Sequence, residues 1–259
     1  MLVYLFSIPF WILGPSAVEK AWSKLIPINL PLSALMLVCP AVAASILIYR
    51  AQGYHGVQQL LMRVFDFGRI QPKCWFIPII FIMPSITIVS YVVMRCIGLK
   101  LPVAHISLLM VPAYFVLFFV GAIGEEIGWT GYATDRLQNR FNALTASTII
   151  GTVWAAWHII PYMQAHNSPS WIIGQCLFTV GARIIIVWLY NNTGMSMFAA
   201  IVFHAMVNVS WVLFPTNGSR YDPGITAAIT IAVALVILYV WGAKSLSLDR
   251  FKQIILTQL

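Results

Sequence analysis

Two acidic residues side by side in an apolar stretch are the first sign of chemistry in this chain. Glu125 and Glu126 follow the run from Leu108 to Val120, and the next basic residue is Arg136. If the helix continues through them, both carboxyls lie inside hydrocarbon. A charged side chain at mid-membrane costs about 2.5–3.5 kcal/mol even on a lenient insertion scale. Each apolar residue returns only about 0.3–0.6 kcal/mol, so the pair consumes most of that helix's insertion energy. Such a pair is expected to be functional, or buried and partnered. Adjacent helical positions point about 100° apart, so the two carboxyls cannot share one role. Further on, His158 stands one turn after Trp154, and His204 and Asn208 form an i, i+4 pair on one face of a later apolar stretch. A carboxylate and an imidazole can hold a water and take its proton. A second imidazole and an amide can donate to the oxyanion that forms when that water attacks a peptide carbonyl. The residue types therefore point to a hydrolytic site assembled from three helices.

Such groups need a scaffold that hides them from lipid. Gly124 and Gly128 make a GxxxG step around the carboxyls, extended by Gly121 and Gly131. Small residues let a neighbouring helix approach closely. The composition supplies the helices: 61% of the residues are hydrophobic and 8% charged, with a mean hydropathy of +0.88. A soluble domain carries about 25% charged residues; this chain has too few to cover itself and needs lipid as its solvent. Apolar stretches fall at about 2–18, 30–49, 74–95, 105–127, 143–161, 170–190, 194–214 and 223–243. Most reach the length that crosses about 30 Å of hydrocarbon. The first is broken by Pro9, Gly14 and Pro15 and lacks a basic leader, so it is taken as a span rather than a cleaved signal. The expected fold is all-α: a polytopic transmembrane helical bundle of about eight spans, with the active site buried between the central helices. One integral membrane domain would occupy residues 1–259, and the resemblance described below implies a peptidase-like core at about 105–214.

With eight spans both termini share a side. Arg50, Arg63, Arg69, Lys73, Arg136, Arg140, Lys244, Arg250 and Lys252 fall there, against Lys20, Lys24, Arg95, Lys100 and Arg220 opposite. This bias places both termini in the cytoplasm of a multi-pass cell-membrane protein. The connection 50–73 is expected to include an amphipathic helix on that surface, and 132–141 a polar extension of the fourth helix. The net charge of +8 is dispersed rather than gathered in a basic stripe, so nucleic acid is not an expected partner. Cys39, Cys74, Cys96 and Cys176 show no CxxC pair, which argues against a disulfide framework or a zinc knuckle.

Three segments in order, Glu125-Glu126-Ile-Gly-Trp-Thr-Gly-Tyr, Trp154-x-x-x-His158 and His204-x-x-x-Asn208, resemble the motifs of the CPBP membrane peptidases. That family includes type II CAAX prenyl endopeptidases and bacterial abortive-infection and bacteriocin-immunity proteins. The likeness runs from about Val111 to Leu213, with Arg136-Leu-Gln, Pro161 and Asn192-Thr193-Gly194 in similar style. It implies that Glu125 activates the water with His158, that His204 and Asn208 form the oxyanion site, and that Glu126 is a supporting carboxylate. It implies a peptide or protein substrate, lipidated or not, met in the bilayer, while substrate identity and oligomeric state stay open. The expected mechanism uses no cofactor; the alternative is zinc held by Glu125, His158 and His204.

One position departs from the family pattern, Glu-Glu-x-x-x-Arg: Thr130 occupies the arginine's place. Arg183, inside the sixth span, is the candidate cation for Glu126, the alternative being that it snorkels to an interface. Thr130 also keeps open a non-catalytic immunity or scaffold protein of the same fold. A proton- or cation-coupled transporter is the other class, though no inverted repeat supports it. Neither the HExxH of zinc enzymes nor the Gly-x-Gly-Asp of aspartyl enzymes is present. Ser196, in Gly194-Met-Ser-Met, is taken as a cap of the seventh helix rather than a nucleophile. His55 and His166 are expected in solvated loops and His105 at an interface; Trp75, Trp171 and Tyr190 are expected in aromatic belts. The glycosylation pattern at Asn217 carries little weight.

Overall fold

The computed structural model describes residues 1–14, 32–103, 108–213 and 221–247. Lys20, Lys24, His105, Asn217, Arg220, Arg250 and Lys252 lie outside the described residues. Among the described residues, eight main helices follow one another: α1 Leu2–Leu13, α2 Cys39–Met62, α3 Phe76–Cys96, α4 Val111–Gly128, α5 Ala143–Gln164, α6 Pro169–Asn192, α7 Met197–Leu213 and α8 Pro223–Trp241. A 3₁₀ segment, Leu32–Val38, leads into α2. Six helical segments among the described residues are long and apolar enough to cross a membrane; α1 and α7 are shorter apolar helices. At 1.5 Å per residue α1 extends only about 18 Å. Of the eight expected spans, six are thus long enough to cross among the described residues, and α1 and α7 are shorter apolar helices.

Start signals in the sequence set the helix boundaries. Asn142, Ser168 and Asp222 accept from Thr145 N, Trp171 N and Ile225 N at the starts of α5, α6 and α8. Proline occupies the first turn of α6 and α8, where no amide hydrogen is needed. Ser196 Oγ accepts from Ala199 N and donates to Asp66, so Ser196 is the expected cap of α7.

Helices α6 and α7 form the centre. From Ile185 to Tyr190 α6 is almost wholly enclosed, as is most of α7. Around them α5 and α8 pack on α6, while α3 and α4 pack on α7. Outward residues of α3 and α8, such as Ile77, Phe81, Leu235 and Tyr239, are exposed as a lipid-facing surface requires.

Two features were not visible in the apolar pattern. Gly53 has φ +67° and ψ −161° inside α2. Beyond it the chain folds back, so that Gly56 approaches the side chains of Ile48 and Gln52. Residues 54–62 therefore form a second helical arm, amphipathic as expected, with Leu60 buried and Tyr54, His55 and Met62 facing outward. His55 thus stands on a helix rather than in a loop, while His166 is exposed in the turn after α5. Second, α4 continues through a π-helical turn, Trp129–Thr134, and a short α-helical turn, Asp135–Gln138, which together form the expected polar extension. Thr134 Oγ1 donates to Trp129 O within that widened turn, a distortion often found at functional sites.

Candidate active site

The glycine step works as close packing. A Cβ on Gly124 would lie 2.6 Å from Leu37 O, and one on Gly128 would lie 2.5 Å from the Pro40 side chain. Both positions bring the 3₁₀ segment and the start of α2 onto α4, and that contact covers the carboxyls. Glu126 is fully buried, and Glu125 nearly so.

The two acids diverge, as adjacent helical positions must. Glu126 turns away from open space and receives every hydrogen bond its oxygens can take. Arg183 grips it with both ends of the guanidinium, Nη1 to Oε2 at 2.8 Å and Nη2 to Oε1 at 2.9 Å. His204 Nδ1 donates to Oε1 at 2.9 Å, and the Thr130 hydroxyl donates to Oε2. Arg183 also reaches Thr130 Oγ1, at 3.3 Å. The cation absent at position 130 therefore arrives from α6, and Thr130 fills the remaining space with a hydroxyl. Arg183 is fully buried, which overturns the snorkelling alternative. Gly151 makes room: a Cβ there would lie 3.1 Å from that of Arg183.

Glu125 turns the other way, into a cavity of about 310 Å³. Trp154 Nε1 donates to its Oε2 at 2.6 Å. His158, His204 and Asn208 line the same cavity. His158 Nδ1 lies 2.9 Å from Trp154 O. A carbonyl only accepts, so Nδ1 carries the proton and Nε2 is the basic nitrogen of the neutral ring. The His158 ring stacks on Tyr162 at 5.6 Å. His204 spends Nδ1 on Glu126, which leaves Nε2 for the cavity, and Asn208 follows one turn along α7. The rest of the wall is largely apolar and aromatic, including Met36, Met83, Phe118, Phe178 and Trp211. Toward the ends of α5 and α8 it becomes polar, where the Tyr221 hydroxyl donates to Gln175 Oε1 at 3.1 Å.

All six expected site residues are thus gathered: Glu125, His158, His204 and Asn208 on the cavity, Glu126 and Arg183 behind it. Two supposed belt residues are corrected. Trp171 lines the cavity, and Tyr190 is wholly buried, donating to Asp135 at 2.7 Å. A ring's place near a span end does not say which way it faces. Trp75 is partly buried and packs edge-on against Trp188. The indole donor of Trp154 had no signal of its own beyond its i−4 spacing to His158. Among the described residues, no three His, Cys, Asp or Glu side chains are grouped closely enough to hold a metal ion. Glu125, His158 and His204 form no such group in this structure.

Residues 107–210, which carry every one of these residues, match the family model described as type II CAAX prenyl endopeptidase Rce1-like. The chain is also 28% identical over 220 residues to CAAX prenyl protease 2 of Methanococcus maripaludis, covering 78% of this chain and 79% of that protein. The cavity-facing set lies inside the matched stretch, and the chain is similar there to the Rce1-like type II CAAX prenyl endopeptidases, which supports an intramembrane endopeptidase.

Proposed function

We propose that this protein hydrolyses a peptide bond with a water held between Glu125 and His158, without a metal. The observation that carries the reading is the division of labour between the two acids. Glu125 shares one cavity with His158, His204 and Asn208, while Glu126 is used up by Arg183, Thr130 and His204. The Glu125 carboxylate and His158 Nε2 orient the water and take its proton as its oxygen attacks the carbonyl carbon. The oxyanion receives hydrogen bonds from protonated His204 at Nε2 and from the Asn208 amide. Collapse breaks the C–N bond, and the proton taken from water passes to the leaving amine. Thr130 no longer argues for a non-catalytic relative, because Arg183 supplies the missing cation.

Lipidated CAAX-type tails and leader peptides both suit a largely apolar cavity. Its polar end lies at the face opposite the Arg63 and Lys244 side. With both termini in the cytoplasm that end faces outward, which favours leader or other exported peptides. A reporter fused to the carboxyl terminus decides: a cytoplasmic signal keeps this choice, and an external one turns the cavity toward cytoplasmic tails.

The test of the chemistry is cleavage of a fluorogenic peptide library by detergent-purified protein. Turnover is expected to survive chelator and to fall by about 10³-fold in Glu125→Gln. Loss of activity in chelator, restored by added zinc, would replace the metal-free mechanism. Silence from a well-folded wild type would return the non-catalytic reading.

A further inference from the structure

The two neighbouring carboxylates are held very differently. Glu126 has four donors around it, whereas the hydrogen bond given to Glu125 comes from one group, the Trp154 indole. That bond, at 2.6 Å, joins an N–H to a carboxylate and lies among the short, strong ones. It engages Oε2 and so leaves Oε1 for the water. The same indole touches the other working groups. Its ring meets His204 edge-on at 5.0 Å and His158 edge-on at 5.7 Å. The Arg183 guanidinium lies over its face, 4.2 Å from the centroid, and its carbonyl accepts from His158 Nδ1. Trp154 is 5% exposed, and its helix is pressed against α6 at Gly151, one turn earlier. A rigid ring enclosed on that many sides cannot drift, and a carboxylate tied to it cannot either.

We infer that Trp154 is the positioning residue that fixes the Glu125 carboxylate toward the water. The inference rests on the peptidase reading above. The role belongs to the N–H rather than to the bulk of the ring, because another aromatic side chain would keep the packing and lose the donor. Trp154→Phe is therefore the informative variant.

Two measurements test it together. In detergent-solubilised protein labelled with ¹⁵N-tryptophan, one indole resonance is expected far downfield, moving upfield in Glu125→Gln while the others hold. In peptide cleavage, Trp154→Phe is expected to lose about tenfold to a hundredfold in kcat, with KM within twofold of wild type and an unchanged thermal midpoint. A purely structural residue would instead lower the midpoint and leave the rate per folded molecule alone. Wild-type kcat in a folded Trp154→Phe protein, or an indole spectrum indifferent to Glu125→Gln, overturns the inference while leaving the peptidase reading intact. If the phenylalanine variant fails to fold, the indole spectrum alone decides. Absence of turnover in the wild type itself overturns the peptidase reading, and the positioning role with it.

Discussion

Among the described residues two polar clusters join α4 to α6, and one of them faces the cavity. The inner one pairs Glu126 with Arg183. The outer one begins nine residues further along the chain, roughly 13 Å at helical rise, where Arg63 from the end of α2 meets Asp135 at 3.4 Å and also bonds Tyr190. Tyr190 in turn donates to Asp135, and Gln138 exchanges two hydrogen bonds with Asn191. Both clusters contain an arginine, a carboxylate and a hydroxyl. In the outer one the carboxylate and the hydroxyl are spent on each other and on Arg63, and the Gln138 and Asn191 amides on one another and on Ser245 O. In the inner one the ion pair is equally self-contained, but it presents His204, and beside it Glu125, to the cavity. A buried ion pair is therefore no sign of catalysis in itself. What marks the site is the set of groups that the ion pair holds in place and leaves unspent.

The largest effect should come from breaking the inner pair. Arg183→Gln leaves Glu126 buried in apolar surroundings without its cation, a change worth about 3–5 kcal/mol in comparable buried pairs. Unfolding in detergent should shift far to lower temperature, and turnover should vanish with it. Adding Glu126→Gln removes the stranded charge, so the double variant should recover much of the stability. It should recover none of the activity, because His204 has lost the carboxylate that holds its Nδ1. An Arg183→Gln protein that folds and cleaves like wild type would end the idea that Arg183 replaces the cation absent at Thr130.

The contrast also explains what could be read before the structure was seen. Polar groups inside apolar runs are conspicuous because their burial is costly, and that single argument singled out Glu125, Glu126, His204, Asn208 and Arg183. His158 was carried by its spacing. Trp154 was hidden because a chain with 10 tryptophans offers many indoles, and an N–H donor leaves no trace in an apolar pattern. Tyr190 and Trp171 were misplaced for a related reason: amphipathic rings near span ends suit lipid headgroups, a buried carboxylate or a cavity wall equally well. The reversal at Gly53 could not be foreseen either, since the residues on both sides keep a helical periodicity and only the glycine's positive φ breaks it.

The smallest effect, and the sharpest test of the comparison, belongs to Arg63. Its Nη atoms bond Gly131 O inside the π turn, Asp135, the Tyr190 hydroxyl and Met195 O. Arg63→Gln gives up most of these bonds, but about a fifth of its side chain and a third of that of Asp135 are exposed. Water can take over part of the loss, and the expected destabilisation is about 1–2 kcal/mol rather than the full value of a buried charged bond. Tyr190 can still donate to Asp135, so the α4–α6 contact keeps a polar tie at that level. The rate per folded molecule should stay within twofold of wild type, measured on the same peptide library below the lowered thermal midpoint. A fall in kcat approaching that of Arg183→Gln would mean that the π turn transmits strain from Gly131 back to Thr130 and Glu126. The two clusters would then be one functional unit, and the distinction between an inert polar tie and a working one would not hold.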